Sequence, residues 1–323
     1  MPLEVYKELI ECLPLKTVVF AFAYGSGAIS QADENLADKM VDFIVVTNDS
    51  LQFHQENLQK NPKHYSFIRL FGPERITKFQ INGGGCCFFN TNVSYHGRLL
   101  KYGIISTNDL QEDLLDWSWL YVAGRLQKPV LKVIAPSESI KMQIKENRIS
   151  AIQAACLQLP DSFTTEQLFE KIVSLSYNGD FRMHIGEDRK KISKIVSGGY
   201  EHLERIYMPL LTQDSRLYIK GNRIDQDNST PSIYHRLNLL PLKVLNGLQH
   251  RSKVWDKRQR DIEEMLFSIS HRHDVGDHVA ATLANIVWSS SLTQTTKNAI
   301  TAGFIKSIVY SSKKIFKMFK SIR

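Results

Sequence analysis

A short apolar run followed by a glycine-rich turn constrains the fold of this chain more than any other feature. Residues 18–23 are the most apolar segment, and they lead directly into Tyr24-Gly25-Ser26-Gly27. The run is far shorter than the roughly 18 apolar residues of a membrane-spanning helix. Its β-branched and aromatic side chains predict a buried strand that ends in a tight turn.

The first 135 residues alternate strand-like runs with clusters of turn residues. Strands are predicted at 18–24, 40–47, 86–93 and 99–106. A helix capped by Asn108 is expected to follow and to run through Leu126, before Pro129. This order predicts an α/β (α+β) domain over residues 1–135.

The pattern becomes helical from about Lys141. Thr164 is followed three residues later by Gln167, which matches a capping box at the start of a second helix. Short helices around one strand predict a winged-helix-like helical module over residues 136–221. Residues 222–232 are rich in Asn, Asp, Ser and Gly and are predicted to be a loop, which opens a helical C-terminal region over 222–323.

Charge and cysteine content narrow the function classes. The net charge is +8, but residues 293–323 contain seven Lys and Arg and no acid, which leaves 34 bases and 33 acids in the rest. Since the excess is confined to one tail, a nucleic-acid-binding face is not expected. The four cysteines form no CxxC pair and are expected to be buried thiols in a reducing compartment.

The C-terminal tail has the pattern of an amphipathic helix. At helical spacing its apolar residues share one face, and its lysines lie opposite. The apolar set is Ile300, Phe304, Ile308, Ile315, Met318, Phe319 and Ile322, and the basic set is Lys306, Lys313, Lys314, Lys317 and Lys320. Such a helix over residues 293–323 suits an anionic bilayer surface. A core-packing helix and a partner-binding helix are the alternatives.

The turn at Gly25 and Gly27 is the first candidate site. Glycines let backbone N–H groups approach a phosphate closely, and Ser26 adds a hydroxyl donor. Asp42 lies in the middle of the next predicted strand, where an acid is unfavourable unless it is paired or binds a metal. Together these features resemble the nucleotidyltransferase superfamily, although the usual second acid two positions later is replaced by Ile44.

Longer strings resemble one family more closely, the mitochondrial phosphatidate cytidylyltransferases, also called translocator assembly and maintenance proteins. The resemblance covers roughly residues 18–210, in order. The strings occupy residues 22–27, 41–44, 61–66, 100–103, 123–129, 176–183 and 186–188.

This resemblance implies an enzyme that uses CTP and Mg²⁺, or Mn²⁺ or Co²⁺, to convert phosphatidic acid into CDP-diacylglycerol for cardiolipin synthesis. It implies a peripheral protein on the matrix side of the mitochondrial inner membrane, although residues 1–15 contain three Glu and no Arg and do not resemble a transit peptide. The alternatives are transfer to RNA or a small soluble acceptor, or a non-catalytic scaffold for protein translocation.

Several further residues are candidates for that reaction. Asp113 is the candidate second metal ligand beside Asp42, with Asp109 and Asp116 as rivals. Lys101 lies inside a strand, where a phosphate or an acid is expected opposite it.

Other candidates concern the nucleotide and the lipid. Arg125 and Lys128 lie at a helix end, where they suit either the helix dipole or a pyrophosphate leaving group. The remaining candidates are Tyr24 and the base- or ribose-contacting His64, Tyr65 and Ser66, together with Arg182, Lys190 and Lys191 as solvated residues or contacts to a lipid phosphate.

Overall fold

The computed structural model describes residues 2–28, 40–185, 190–254, 257–258 and 260–302. The strands are β1 (Val18–Tyr24), β2 (Val41–Thr47), β3 (Phe88–Tyr95), β4 (Arg98–Ser106), β5 (Leu131–Ile134), β6 (Ser162–Thr164), β7 (Leu217–Lys220) and β8 (Arg223–Gln226). The first helices are α1 (Leu3–Ile10), α2 (Ser50–Lys60), α3 (Gly72–Ile81), α4 (Thr107–Asp116), α5 (Ala123–Leu126), α6 (Glu138–Cys156) and α7 (Thr165–Ser174). The later helices are α8 (Phe181–Ile185), α9 (Lys191–Leu211), α10 (Thr230–Asn238), α11 (Leu242–Ser252), α12 (Ile262–Ser270) and α13 (Val275–Ala302).

A mixed five-stranded sheet with the order β3-β4-β2-β1-β5 forms the first half of the protein. Strands β2 and β4 are parallel, and the other neighbouring pairs are antiparallel. The register aligns Tyr24 with Asp42 and Asp42 with Lys101 across three adjacent strands. The predicted α/β class is confirmed, and the four predicted strands lie within two residues of the observed ones.

The two faces of the sheet pack against different elements, because side chains alternate along each strand. Phe22, Ile44 and Phe89 point into a large core that also contains residues of α4, α6, α7, α9 and α13. Phe43 and Tyr102 point to the other face, where α1, α2 and α3 cover a smaller core. The large core continues through all three predicted regions, so the division into domains stays a prediction.

The predicted long helix after β4 is interrupted. Ser106, rather than Asn108, caps α4 by accepting a hydrogen bond from the Asp109 N–H. The helix ends because Trp117 adopts a left-handed conformation with φ of 53°. The indole N–H of Trp117 then donates to the Asn147 side chain in the core, and the chain resumes as α5. A buried aromatic residue therefore stops a helix that local propensity would continue.

The second half contains helices around a small antiparallel sheet with the order β6-β8-β7. The predicted capping box is confirmed, because Thr164 and Gln167 exchange side-chain and backbone hydrogen bonds. The predicted loop at 222–232 is wrong, since strand β8 and the start of α10 lie within it. Asp225, one of the polar residues of this segment, pairs with Ser162 on the neighbouring strand. Ile224 is buried and anchors β8 in the core.

Helix α13 begins at Val275, so the predicted helix over 293–323 does not start as a separate element. Lys297 is buried, and its ammonium donates to the carbonyls of Gln80 and Gly83 at 2.8 and 2.9 Å. Gln294 is also buried and binds Gly85 N–H and the Cys87 carbonyl. Residues 293–302 are thus part of the packed protein. Lys306, Lys313, Lys317 and Lys320 lie outside the described residues.

Membrane association was predicted without a membrane-spanning segment. Within the described parts of the chain, none of the helices combines the length and apolar character needed to cross a bilayer. The four cysteines are free and buried, as expected.

Candidate active site

Tyr24, Asp42 and Lys101 come together at one end of the central sheet. They occupy matching positions on β1, β2 and β4 and point to the face with the large core. The Lys101 ammonium lies 3.6 Å from Asp42 Oδ1 and 4.7 Å from the centre of the Phe89 ring. Both charged side chains are partly exposed, at 18% and 26%. The acid that was expected opposite Lys101 is therefore Asp42, and the pair faces an accessible surface.

The glycine-rich turn follows β1 immediately, as a 3-10 turn over Gly25–Gly27. Gly25 has φ of 73°, a conformation that side-chain-bearing residues rarely adopt. A Cβ on Gly27 would lie 2.4 Å from the Met40 carbonyl oxygen, so only glycine lets the turn pack against the start of β2. Buried Tyr6 of α1 donates a hydrogen bond to the Gly27 carbonyl, which holds the turn against α1. Ser26 is the middle residue of this turn, which directly follows Tyr24, the register partner of Asp42.

Helix α5 and the residues that follow it supply two cations, Arg125 and Lys128, near Tyr24 and the 176–182 segment. The Arg125 guanidinium lies 5.0 Å from the Tyr24 ring and 4.0 Å from the Tyr121 ring, and it donates to the Tyr121 carbonyl. Lys128 donates to Ser176 Oγ at 2.7 Å and lies 4.8 Å from the Tyr177 ring. Burial, together with the charges of Arg125, Lys191 and Arg182, lowers the pKa of Lys128 well below its usual value. An anion here would relieve that repulsion.

The segment 176–182 lies against Lys128 through Ser176 and Tyr177. Asp180 is buried and accepts two-pronged hydrogen bonds from the Arg182 guanidinium, the shortest at 2.6 Å. Burial alone would raise the pKa of Asp180, but the hydrogen bonds and charge of Arg182 lower it. Arg182 was predicted as a lipid contact, and its partner Asp180 was not recognised. Because an acid followed by an arginine two residues later is common on surfaces, the sequence gives no signal for this buried pair.

Three buried polar atoms of this site have no hydrogen-bond partner among the described residues. They are Tyr24 Oη, Asp42 Oδ1 and Arg125 Nε. Burial raises the pKa of Tyr24 despite the opposing charge of neighbouring Lys101. The phenol therefore keeps its proton. Buried polar groups are normally satisfied, and an unpaired donor and acceptor in one place indicate a position for a polar ligand.

Asp113 has a different role from the one predicted. It is fully buried, and its carboxylate accepts hydrogen bonds from the backbone N–H groups of Trp119, Tyr121, Val122 and Ala123. Burial raises the pKa of Asp113, and these bonds oppose the rise. The prediction that Asp113 binds metal is therefore wrong, because its oxygens are used to hold the loop that leads to Arg125.

Its rivals lie at the two ends of α4. Asp109 is hydrogen-bonded to Ser106, which pairs with Thr47 at the far end of β2 from Asp42. Thr47 is the fifth residue after Asp42 along the strand, which places it about 16 Å away. Asp109 is thus excluded as a metal-binding partner of Asp42. Asp116, the other rival, is the last residue of α4. Among the residues that the structure describes, no group of three or more metal-binding side chains was found.

His64, Tyr65 and Ser66 lie on the other face of the sheet from Asp42. His64 Nδ1 is 2.9 Å from the hydroxyl of Tyr102, which points away from Lys101. Tyr65 is buried and bonded to His54 and Asn57 in the same polar network. The observed contacts place His64 and Tyr65 in the polar network around Tyr102, and the contact of these three residues with base or ribose stays a prediction.

Nearly the whole chain matches one protein family. Residues 6–317 match the family described as "Phosphatidate cytidylyltransferase, mitochondrial". Proteins of that name are 53% identical in Caenorhabditis briggsae (98% of this chain, 99% of the relative) and 41% identical in Bos taurus (98% and 94%). The Homo sapiens protein is 40% identical, over 92% of this chain and 67% of the relative.

The comparison with solved structures gives a weaker match. It is a nucleotidyltransferase-like protein from Exiguobacterium sibiricum 255-15, aligned over 92% of this chain and 75% of its own at 8% identity. Its TM-score of 0.25 is too low to bear on the fold. The sequence matches, by contrast, are strong and run nearly end to end. The chain belongs to the mitochondrial phosphatidate cytidylyltransferase family.

Proposed function

We propose that this protein transfers the cytidylyl group of CTP to phosphatidic acid. A phosphate oxygen of phosphatidic acid attacks the α-phosphorus of CTP, the bond to the β-phosphate oxygen breaks, and CDP-diacylglycerol and pyrophosphate are formed. Family membership supports this reaction. The observation that carries the assignment of the site is a cluster that directly precedes the glycine-rich turn: Tyr24 pairs in register with Asp42, and the Arg125 guanidinium lies 5.0 Å from the Tyr24 ring. Each of these three residues has a buried polar atom without a hydrogen-bond partner among the described residues.

The residues around this point suit a triphosphate. The turn at Gly25–Gly27 offers backbone N–H groups, and Ser26 offers a hydroxyl. Lys101 lies beside Asp42 on β4, Arg125 lies on α5 over the Tyr24 ring, and Lys128 follows α5. Charge-assisted hydrogen bonds from such donors stabilise the negative charge that develops on a leaving pyrophosphate.

Asp42 is suited to bind a magnesium ion together with the nucleotide. Mg²⁺ commonly binds through one or two carboxylates, with phosphate oxygens and waters completing its octahedron. Asp42 Oδ1 is buried without a hydrogen-bond partner and lies 3.6 Å from the Lys101 ammonium, so the carboxylate of Asp42 is the group suited to this role. The bound ion would neutralise triphosphate charge and orient the attacking and leaving oxygens. Mn²⁺ or Co²⁺ would serve in the same way.

The lipid substrate requires contact with a bilayer. The basic, acid-free sequence of residues 303–323, with Lys306, Lys313, Lys317 and Lys320, supports binding to an anionic membrane surface. We assign the protein to the matrix side of the mitochondrial inner membrane, as a peripheral protein. Arg182 is the candidate contact for the lipid phosphate. Its ion pair with Asp180 also gives it a structural role.

The proposed nucleotide site can be tested by thermal unfolding. A ligand that binds the native protein alone raises its melting temperature. CTP should raise it only when Mg²⁺ or Mn²⁺ is present, and the Ser26→Ala and Lys101→Ala variants should show a smaller shift. Equal shifts with ATP, GTP and UTP would argue against a cytidylyltransferase and for transfer of another nucleotide.

A further inference from the structure

A short surface turn between α2 and α3 exposes three large apolar side chains. Residues Phe67–Phe71 form a 3-10 turn in which Phe67, Leu70 and Phe71 are 51%, 78% and 47% exposed. Ile68 is buried beneath them and anchors the turn to the small core. Isolated exposed apolar residues are common, but three on one turn are a patch that suits an interaction surface.

The turn has a defined conformation. The rings of Phe67 and Phe71 pack edge to face, with centroids 6.3 Å apart. Gly72, with φ of 80°, then redirects the chain into α3, which begins with Pro73 in its first turn. The apolar side chains are thus held outward by the local backbone, so little ordering is needed when they bind.

Positive charge surrounds the patch. Lys63, Arg69, Arg75 and Lys78 are exposed, whereas Glu74 is the one acid between residues 61 and 82. The Arg75 guanidinium lies 6.0 Å from the Phe71 ring centroid. Apolar side chains that enter a bilayer while neighbouring Lys and Arg contact anionic head groups are typical of interfacial membrane binding.

The patch lies at the same end of the sheet as the candidate active site. Helix α2 starts after the far end of β2 and runs back toward the end that carries Asp42. His64, three residues before the turn, contacts Tyr102, the neighbour of Lys101 on β4. Three residues span at most about 10 Å. A membrane that received the turn would therefore lie near the end of the sheet where the nucleotide site is located.

We infer that Phe67, Leu70 and Phe71 form a membrane-docking turn that inserts into an anionic bilayer, in addition to the C-terminal tail. Two contact points would fix the orientation of the protein on the membrane, which a single contact point would not. The benefit of this orientation rests on the proposed lipid substrate, but insertion itself does not. The basic surround favours a bilayer over an apolar protein partner.

A fluorescent label at the tip can test insertion directly in the full-length protein. The four native cysteines are buried, and burial raises the pKa of Cys86 to about 12, so they react slowly with labelling reagents. An environment-sensitive dye attached to a Leu70→Cys variant should move its emission maximum to shorter wavelength when phosphatidylcholine vesicles that contain phosphatidic acid are added. The same dye at Leu242→Cys, an exposed position on α11, should not shift.

The opposite results overturn the inference. A label at position 70 that keeps its aqueous emission while the protein sediments with vesicles would show that the turn stays in water. A shift that appears without vesicles and grows with protein concentration would instead identify a second copy of the chain as the occupant.

Substitution of the three side chains provides an independent test. The triple variant Phe67→Ser, Leu70→Ser, Phe71→Ser should bind these vesicles roughly tenfold more weakly or worse. Its turnover should fall on vesicles but not on short-chain, water-soluble phosphatidic acid. A control variant with Met142→Ser, Leu239→Ser and Leu242→Ser removes exposed apolar residues elsewhere and should bind normally.

Both variants should keep the melting temperature and its CTP-induced shift, because the residues are exposed. Normal vesicle binding by the patch variant would refute the docking turn. If the unmodified protein made no lipid product from either substrate, the proposed reaction would fail, whereas the dye and sedimentation results would still decide whether the turn inserts.

Discussion

Asp42 and Asp113 show how two acids on neighbouring elements acquire different roles. Asp42 is partly exposed and has an oxygen without a hydrogen-bond partner, whereas the carboxylate of Asp113 is enclosed by backbone N–H groups. We expect Asp42→Asn to reduce turnover by more than about 100-fold with little change in melting temperature, because charge at the metal and phosphate is lost.

The matched variant Asp113→Asn should behave in the opposite way. Its amide N–H₂ would face backbone donors, which should destabilise the protein by about 1–3 kcal/mol. Residual activity at low temperature should keep its normal Mg²⁺ dependence. Thermal unfolding and turnover measured on both variants separate the roles. An inactive Asp113→Asn protein with unchanged stability would restore Asp113 as a candidate ligand.

Lys128 should make CTP binding pH-dependent. Its pKa is lowered in the free protein by burial and by neighbouring cations, and a bound triphosphate should raise it again. Between those two pKa values binding takes up a proton, so CTP affinity should fall as the pH rises through that range. Calorimetric titration above the pH at which the γ-phosphate ionises would measure this slope. The Lys128→Arg variant, which stays charged, should flatten it, and an unchanged slope would exclude Lys128 from the nucleotide site.

At the scale of elements, helix α13 connects two parts of the site region. Phe181 N–H donates to Ser291 Oγ, and Gln294 binds Gly85 N–H. A Cβ on Gly85 would lie 2.3 Å from the Tyr121 ring, whose residue accepts a hydrogen bond from Arg125. One helix therefore supports both the 176–182 segment and the loop behind Arg125, and its C-terminal end leads into the basic tail.

The position of α13 predicts that two truncations differ. Removal of residues 303–323 should weaken binding to anionic vesicles but leave the melting temperature and CTP binding unchanged. Removal of 293–323 should also lower the melting temperature, because the buried contacts of Gln294 and Lys297 are lost. Vesicle sedimentation and thermal unfolding of both proteins provide the test. Equal stability of the two would mean that the last turns of α13 contribute nothing to the fold.

Local pattern was sufficient for the strands and the capping box, but not for the supporting contacts. Residues 18–24 combine β-branched and aromatic side chains with a glycine turn, so both the strand and the turn could be predicted. Asp113 was misassigned because the sequence does not show that Trp117 reverses the chain and brings four N–H groups to the carboxylate. The pairing of Lys101 with Asp42 depends on a parallel strand register that spacing alone does not specify.

At the scale of the whole molecule, contacts link the end of the sheet, Arg125 and Lys128, and the 176–182 segment: Arg125 lies over Tyr24, and Lys128 binds Ser176. The central claim is that this site transfers a cytidylyl group to a membrane lipid. The most direct measurement incubates the protein with vesicles containing phosphatidic acid, Mg²⁺ and CTP labelled at either the α- or the γ-phosphate. We predict that α-label enters the lipid fraction as CDP-diacylglycerol, that γ-label is released as pyrophosphate, and that Asp42→Asn abolishes both. Lipid-borne γ-label, or α-label that stays in water while CTP is consumed, would contradict the claim.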